Sequence, residues 1–91
     1  MIYINYRERI KGAREDRDMS QSDIARILHK SQQVYNHIEK GRAELKIDDL
    51  VVLCRVFNLS ADYLIGLIND PVSYKRYYFS FFERDIVSVQ K

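Results

Sequence analysis

The chain has 91 residues, with 15 Lys and Arg against 13 Asp and Glu for a formal charge of +2, and a single cysteine. That length supports one domain with one core, and a lone Cys54 excludes an internal disulfide framework or a Cys/His zinc pattern and fits a reducing cytoplasm. No stretch is apolar for long enough to span a membrane, the opening MIYINYRERI is charged too early for a signal peptide, and the charge excess is too small to identify a nucleic-acid binder by itself.

Met1 to Asn5 alternates apolar and polar residues, with Ile2 and Ile4 on one side, and reads equally as an extended arm or a frayed helix start. From Tyr6 to about Arg17, Tyr6, Ile10 and Ala13 at i, i+4 and i+7 put a narrow apolar stripe through a charged run, which predicts a first helix. Gly12 weakens that helix by up to about 1 kcal/mol relative to Ala, so packing must hold it. A second helix is expected from Gln21 to Leu28, because Ser20 can cap it and Asp23 completes an approximate capping box. Its Ile24, Ile27 and Leu28 share one face, and Ala25 is small enough for another helix to cross closely.

A third helix is expected from Gln32 to Lys40, with Ser31 as its N-cap and Gly41 as the residue that stops it. After the loop RAELK, a fourth helix from about Ile47 to Phe57 places Ile47, Leu50, Val51, Leu53, Cys54 and Phe57 on a broad face predicted to be buried. Cys54 reads as a small core residue, and Asp48 and Asp49 favour the positive end of the helix dipole. Lys46 gives this helix no obvious cap, whereas Asn58 is a good left-handed stop. Ser60 then caps a fifth helix, with Tyr63, Leu64, Leu67 and Ile68 as core candidates.

Asn69-Asp70-Pro71 marks a boundary, which divides the chain into residues 1–68 and an extension, 69–91. In the extension, Tyr74, Tyr77, Tyr78, Phe81, Phe82, Ile86 and Val89 follow a helical stripe behind Ser73, and a sixth helix is the favoured reading. Strand alternation through Tyr77, Phe79 and Phe81 fits a shorter piece. An aromatic stripe of this size marks an interface, either over the bundle, with a second copy in a homodimer, or with a protein partner.

The third helix carries the chemistry. Tyr35 and Ile38 point inward, while Gln32, Gln33, Asn36, His37 and Lys40 fall at i, i+1, i+4, i+5 and i+8 on the other side, almost without acid. Gln and Asn can donate to adenine N7 and accept from N6 at once, so Gln32, Gln33, Asn36 and His37 are candidate readers of a DNA major groove. The competing reading is an ordinary solvated face; a capped two-helix motif around these residues favours base contact. Val34 suits a thymine methyl or packing against the second helix equally. Gln21, at a helix start, is a candidate phosphate contact, as are Lys30, Lys40 and Arg42, with Lys46 nearby.

Met19 to Gly41 resembles the helix-turn-helix of the Cro/repressor-type (XRE-like) transcriptional regulators. The likeness rests on Gln21 opening one helix, Ile24-Ala25 in its middle, Leu28 at its end, then Ser31 and a helix closing on Glu39-Lys40-Gly41. Ser31-Gln32-Gln33 is similar to the Thr-Gln-Gln of some lambdoid phage repressors. The resemblance extends from about Ile10 to Leu67 and implies an all-α, five-helix lambda-repressor-like bundle. It also implies that Arg14 pairs with Glu39 and that Gln21 meets a phosphate; Ser31 is a further candidate phosphate contact. Four positions depart from the pattern: His29 where Gly is usual, Lys30 and Tyr35 where aliphatic residues are usual, and Lys46 where Pro or Ser is common.

His29 and His37 are eight apart with no Cys nearby, so no metal site is expected, and no nucleophile stands at a suggestive spacing from a base, so neither enzyme activity nor a cofactor is expected. The expected function is a cytoplasmic, sequence-specific regulator of double-stranded DNA, a repressor. Two alternatives stay open. One is an antitoxin that represses its own operon and grips a toxin with the aromatic segment; the other is a protein-interaction module that has lost DNA binding.

Overall fold

The ends of the helices account for most of the architecture. In a computed structural model, which describes residues 5–71, the chain forms α1 (Tyr6–Asp16), α2 (Gln21–Ile27), α3 (Gln32–Glu39), α4 (Ile47–Phe57) and α5 (Ala61–Leu64), with no strand among the described residues. Residues 1–4 of the N-terminal arm and 72–91 of the extension, with Tyr74, Tyr77, Tyr78, Phe81 and Phe82, lie outside the described residues. Four helices begin on a side-chain cap. The Asn5 carboxamide accepts from the Arg7 N–H, and Ser20, Ser31 and Ser60 accept from the N–H groups of Asp23, Val34 and Tyr63. Ser20 and Asp23 form the expected capping box, at 3.0 and 2.9 Å. Lys46 makes no capping hydrogen bond.

All five helices close in the same way, on a left-handed residue followed by an N–H that reaches back to the last turn. The left-handed residues are Asp18, His29, Gly41, Asn58 and Gly66, at φ 55, 58, 83, 55 and 90°. The return bonds run from Met19 to Arg14, Lys30 to Ala25, Arg42 to His37, Leu59 to Cys54 and Leu67 to Asp62, at 2.8 to 3.1 Å. At Gly41 a Cβ would meet nothing closer than Arg7, at 3.8 Å, so the backbone angle and not the space favours glycine there.

The core is built from Ile10, Ile24, Tyr35, Ile38, Leu53, Phe57 and Leu64, each 2% exposed or less. α3 packs on α2 and α1, and α5 packs on α1 and α4. Cys54 is buried, and burial pushes its thiol above the ordinary range. Three residues expected in the core are instead exposed: Ile47 and Leu67 at 72% and Val51 at 42%. Ile47 sits in the first turn of α4, beyond its packed middle, and Val51 falls on the flank of the line through Leu53, Cys54 and Phe57. Leu67 lies outside because α5 stops at Leu64 and turns at Gly66.

Within the charged run through α1, which has only a thin apolar stripe, three arginines form a clasp while Glu8, Lys11, Glu15 and Asp16 are exposed. Arg7 donates to the carbonyls of Ile38 and Ala43 at the end of α3, each at 2.9 Å. Arg9 donates to the carbonyls of Tyr63 and Ile68 and to the Asn69 side chain around the end of α5, and stacks on the Tyr63 ring. Arg17 donates to the Phe57 carbonyl at the end of α4 and lies over the Phe57 ring. Each guanidinium meets carbonyls in or just past the last turn of a helix, at its negative end, the place where a cation is most favourable.

Candidate nucleic-acid interface

α3 is fixed from beneath and bare on top. Tyr35 and Ile38 are buried, while Ser31, Gln32, Gln33, Val34 and Lys40 are exposed and Asn36 and His37 are half-buried. The tight turn that sets α3 against α2 depends on His29 in the left-handed region and on the Lys30 N–H returning to the Ala25 carbonyl at 2.8 Å. The Ser31 hydroxyl is engaged as the N-cap, 3.1 Å from the Val34 N–H. Arg42 follows Gly41 and is exposed, so Lys40 and Arg42 put two cations beside the exposed end of α3.

The only acid on α3 is removed from that face. Glu39 accepts from Arg14 at 2.8 and 3.2 Å, and the two side chains are 3% and 10% exposed. Arg14 is held in turn by the Met19 carbonyl at 2.9 Å. Burial alone would raise the Glu39 carboxyl, but the donors around it, Arg14 first, bring it below its ordinary value; the hydrogen bond to Glu39 raises Arg14. Burial, then the Glu39 carboxylate, pushes the Tyr35 phenol well above its usual range. The Tyr35 hydroxyl is near enough to feel Glu39 but is not in hydrogen-bond geometry with any group.

Two residues expected at phosphates are engaged elsewhere. Gln21 donates from Nε2 to Glu39 at 3.1 Å and accepts on Oε1 from Asn36 Nδ2 at 3.0 Å, so both ends of its amide face inward. Lys30 sets its ammonium 3.2 Å from Asp49 in the first turn of α4, an ion pair without hydrogen-bond geometry at the carboxylate, because the turn after His29 aims its side chain at that helix. Sequence spacing gave no sign of the Asn36–Gln21–Glu39 chain, although a glutamine opening one helix and an asparagine one turn into the next were both visible. The exposed set that remains on one face is Gln32, Gln33, Val34, Lys40 and Arg42, with Asn36 and His37 at its inner margin.

Among the described residues no cluster of His, Cys, Asp and Glu could hold a metal ion, and no helix is long and apolar enough to cross a membrane. Residues 10–64 match the family described as Helix-turn-helix. The chain is also similar to the "Uncharacterized HTH-type transcriptional regulator YobD" of Bacillus subtilis (strain 168), with 27% identity over 66 residues that make up 72% of this chain and 59% of that relative. The chain thus spans under two thirds of that relative's length. No solved structure matches it.

Proposed function

Because the chain belongs to the XRE-like helix-turn-helix family, we propose that it is a sequence-specific double-stranded DNA-binding transcriptional regulator, a repressor that inserts α3 into the major groove. The observation that carries this reading is the division of labour on α3. Tyr35 and Ile38 hold the helix from inside and its one carboxylate is neutralised by Arg14, which leaves Gln32, Gln33 and Lys40 in solvent with Asn36 and His37 at the margin. Gln32, Gln33, Asn36 and His37 read base edges, and Ser31, Lys40 and Arg42 meet the phosphates. A protein that represses by occupancy needs nothing more at this site than a register fixed by phosphates and a few base contacts.

Selection of bound sites from a random DNA pool tests the reading, and a palindromic product with half-sites about 10 base pairs apart supports a two-fold dimer. Gln33→Ala is expected to cost about 1 to 3 kcal/mol at one base position and to relax preference there. Lys40→Ala should weaken all sequences alike and reduce the salt slope by about one unit. If both variants keep the parent's preference and salt slope, α3 is not the reading element.

A further inference from the structure

Asn36 differs from the other candidate readers in that its amide is gripped from inside the protein, and the grip has a direction. A carboxylate only accepts hydrogen bonds. Glu39, kept charged by Arg14, accepts from Gln21 Nε2 at 3.1 Å, so the Gln21 carbonyl oxygen must face the other way. That oxygen accepts from Asn36 Nδ2 at 3.0 Å, so Asn36 must turn its nitrogen toward Gln21. Flipping either amide would set two oxygens against each other at these separations, in a half-buried place where water screens poorly.

Resting on the DNA-binding reading above, we propose that Glu39, acting through Gln21, fixes which way round the Asn36 amide is presented and thereby sets a preference for adenine at the base Asn36 reads. Asn36 keeps Oδ1 and one Nδ2 hydrogen for the duplex, always in the same order. Adenine offers a matching N6 donor and N7 acceptor, whereas guanine offers two acceptors, O6 and N7, one of which would face Oδ1. A free asparagine could turn both hydrogens of its nitrogen to guanine O6 and N7, whereas this one has committed one of them to Gln21 and is left with one donor and one acceptor, the adenine pattern. Gln21 is therefore a positioning residue, and Glu39 the source of its polarity.

The test compares Gln21→Met and Glu39→Gln in the full chain. Gln21→Met removes the link and leaves the Arg14–Glu39 pair, and Glu39→Gln puts a group that can donate or accept where only an acceptor stood. The operator position read by Asn36 is first identified as the one whose preference Asn36→Ala abolishes. There the parent is expected to favour adenine over guanine by at least about fivefold, the low end for a paired amide contact. In both variants that ratio should fall clearly below the parent's, without vanishing because a released amide still pairs with adenine, while preference at the positions read by Gln32 and Gln33 and the salt slope stay as in the parent. A retained adenine ratio in both variants overturns the proposal. So does a uniform loss with a shallower salt slope in Gln21→Met, which would make Gln21 a phosphate contact. If Asn36→Ala changes no position while Gln33→Ala does, the relay is wrong and DNA reading by α3 survives; if the parent shows no sequence preference at all, both fall.

Discussion

Replacing Arg14 by Met keeps most of the side-chain volume but leaves the Glu39 carboxylate buried without its counter-charge. The pair is closed, with Glu39 3% and Arg14 10% exposed and two contacts of 2.8 and 3.2 Å, so solvent cannot substitute for the missing guanidinium. Breaking such a pair from one side costs about 3 to 5 kcal/mol, and the lost bond to the Met19 carbonyl adds roughly 1. Against a total stability on the order of 5 to 10 kcal/mol, that is about half of the margin. Urea unfolding followed by circular dichroism measures it. The loss should depend on pH. In the parent, Glu39 has a lowered folded-state pKa, so its contribution is fully present above the unfolded value of about 4.3 and is lost as pH falls through the folded value. In Arg14→Met the largest offset to burial is gone, with the Gln21 donor left, and the folded pKa is expected to rise above that value. The variant's penalty is then full above its raised pKa and disappears as the carboxyl protonates. The gap between parent and variant should accordingly narrow between pH 7 and about 3.5, and Arg14→Met with Glu39→Gln together should recover most of it at pH 7. A gap under about 1 kcal/mol at pH 7, or one that does not change on acidification, would refute the reasoning.

His29→Gly should raise stability by about 0.5 to 1 kcal/mol, since relief of left-handed strain outweighs the added freedom of the unfolded chain, and should leave site preference unchanged; thermal unfolding and a binding titration check the two halves. The Cys54 thiol, buried and raised by burial, should react with a thiol reagent at least about a hundredfold more slowly in the native protein than in urea, and equal rates would show that α4 opens locally.

The sequence carried the ends of the helices well because caps are local chemistry. Ser20, Ser31 and Ser60 each lie one residue before a helix, and Gly41 and Asn58 stop the helices they were expected to stop. Asp18 was not legible as a left-handed stop, since Asp enters that conformation far less often than Gly and nothing local in the sequence announces the return bond from Met19 to Arg14. Long-range partners were still less visible. Periodicity showed only a charged run around a thin apolar stripe, and only the packing of three helix ends around α1 turns Arg7, Arg9 and Arg17 into caps 31 to 59 residues away in sequence. The same limit explains Ile47 and Val51: helical spacing defines a stripe, but not how far along or around it a neighbouring helix reaches.

For the candidate site, the distinction between inward and outward faces of α3 was legible, and the commitments within the outer set were not. Lys30 and Gln21 looked free because charge and amide spacing cannot report an acid on α4 or a carboxylate one helix away. The structure thus gives the outer residues unequal freedom. Gln32 and Gln33 can rotate to suit a base edge, whereas Asn36 can only present what Gln21 allows. That inequality has a consequence for specificity. Substitutions at Gln32 and Gln33 should change which bases are preferred at their own positions with little effect on stability, while the preference at the Asn36 position is tied to the Arg14–Glu39 pair that also holds α1 to α3. A change of preference made at Glu39 disturbs a buried charge and should come with a loss of stability, whereas Gln21→Met, which leaves the Arg14–Glu39 pair in place, should shift the preference at far smaller cost.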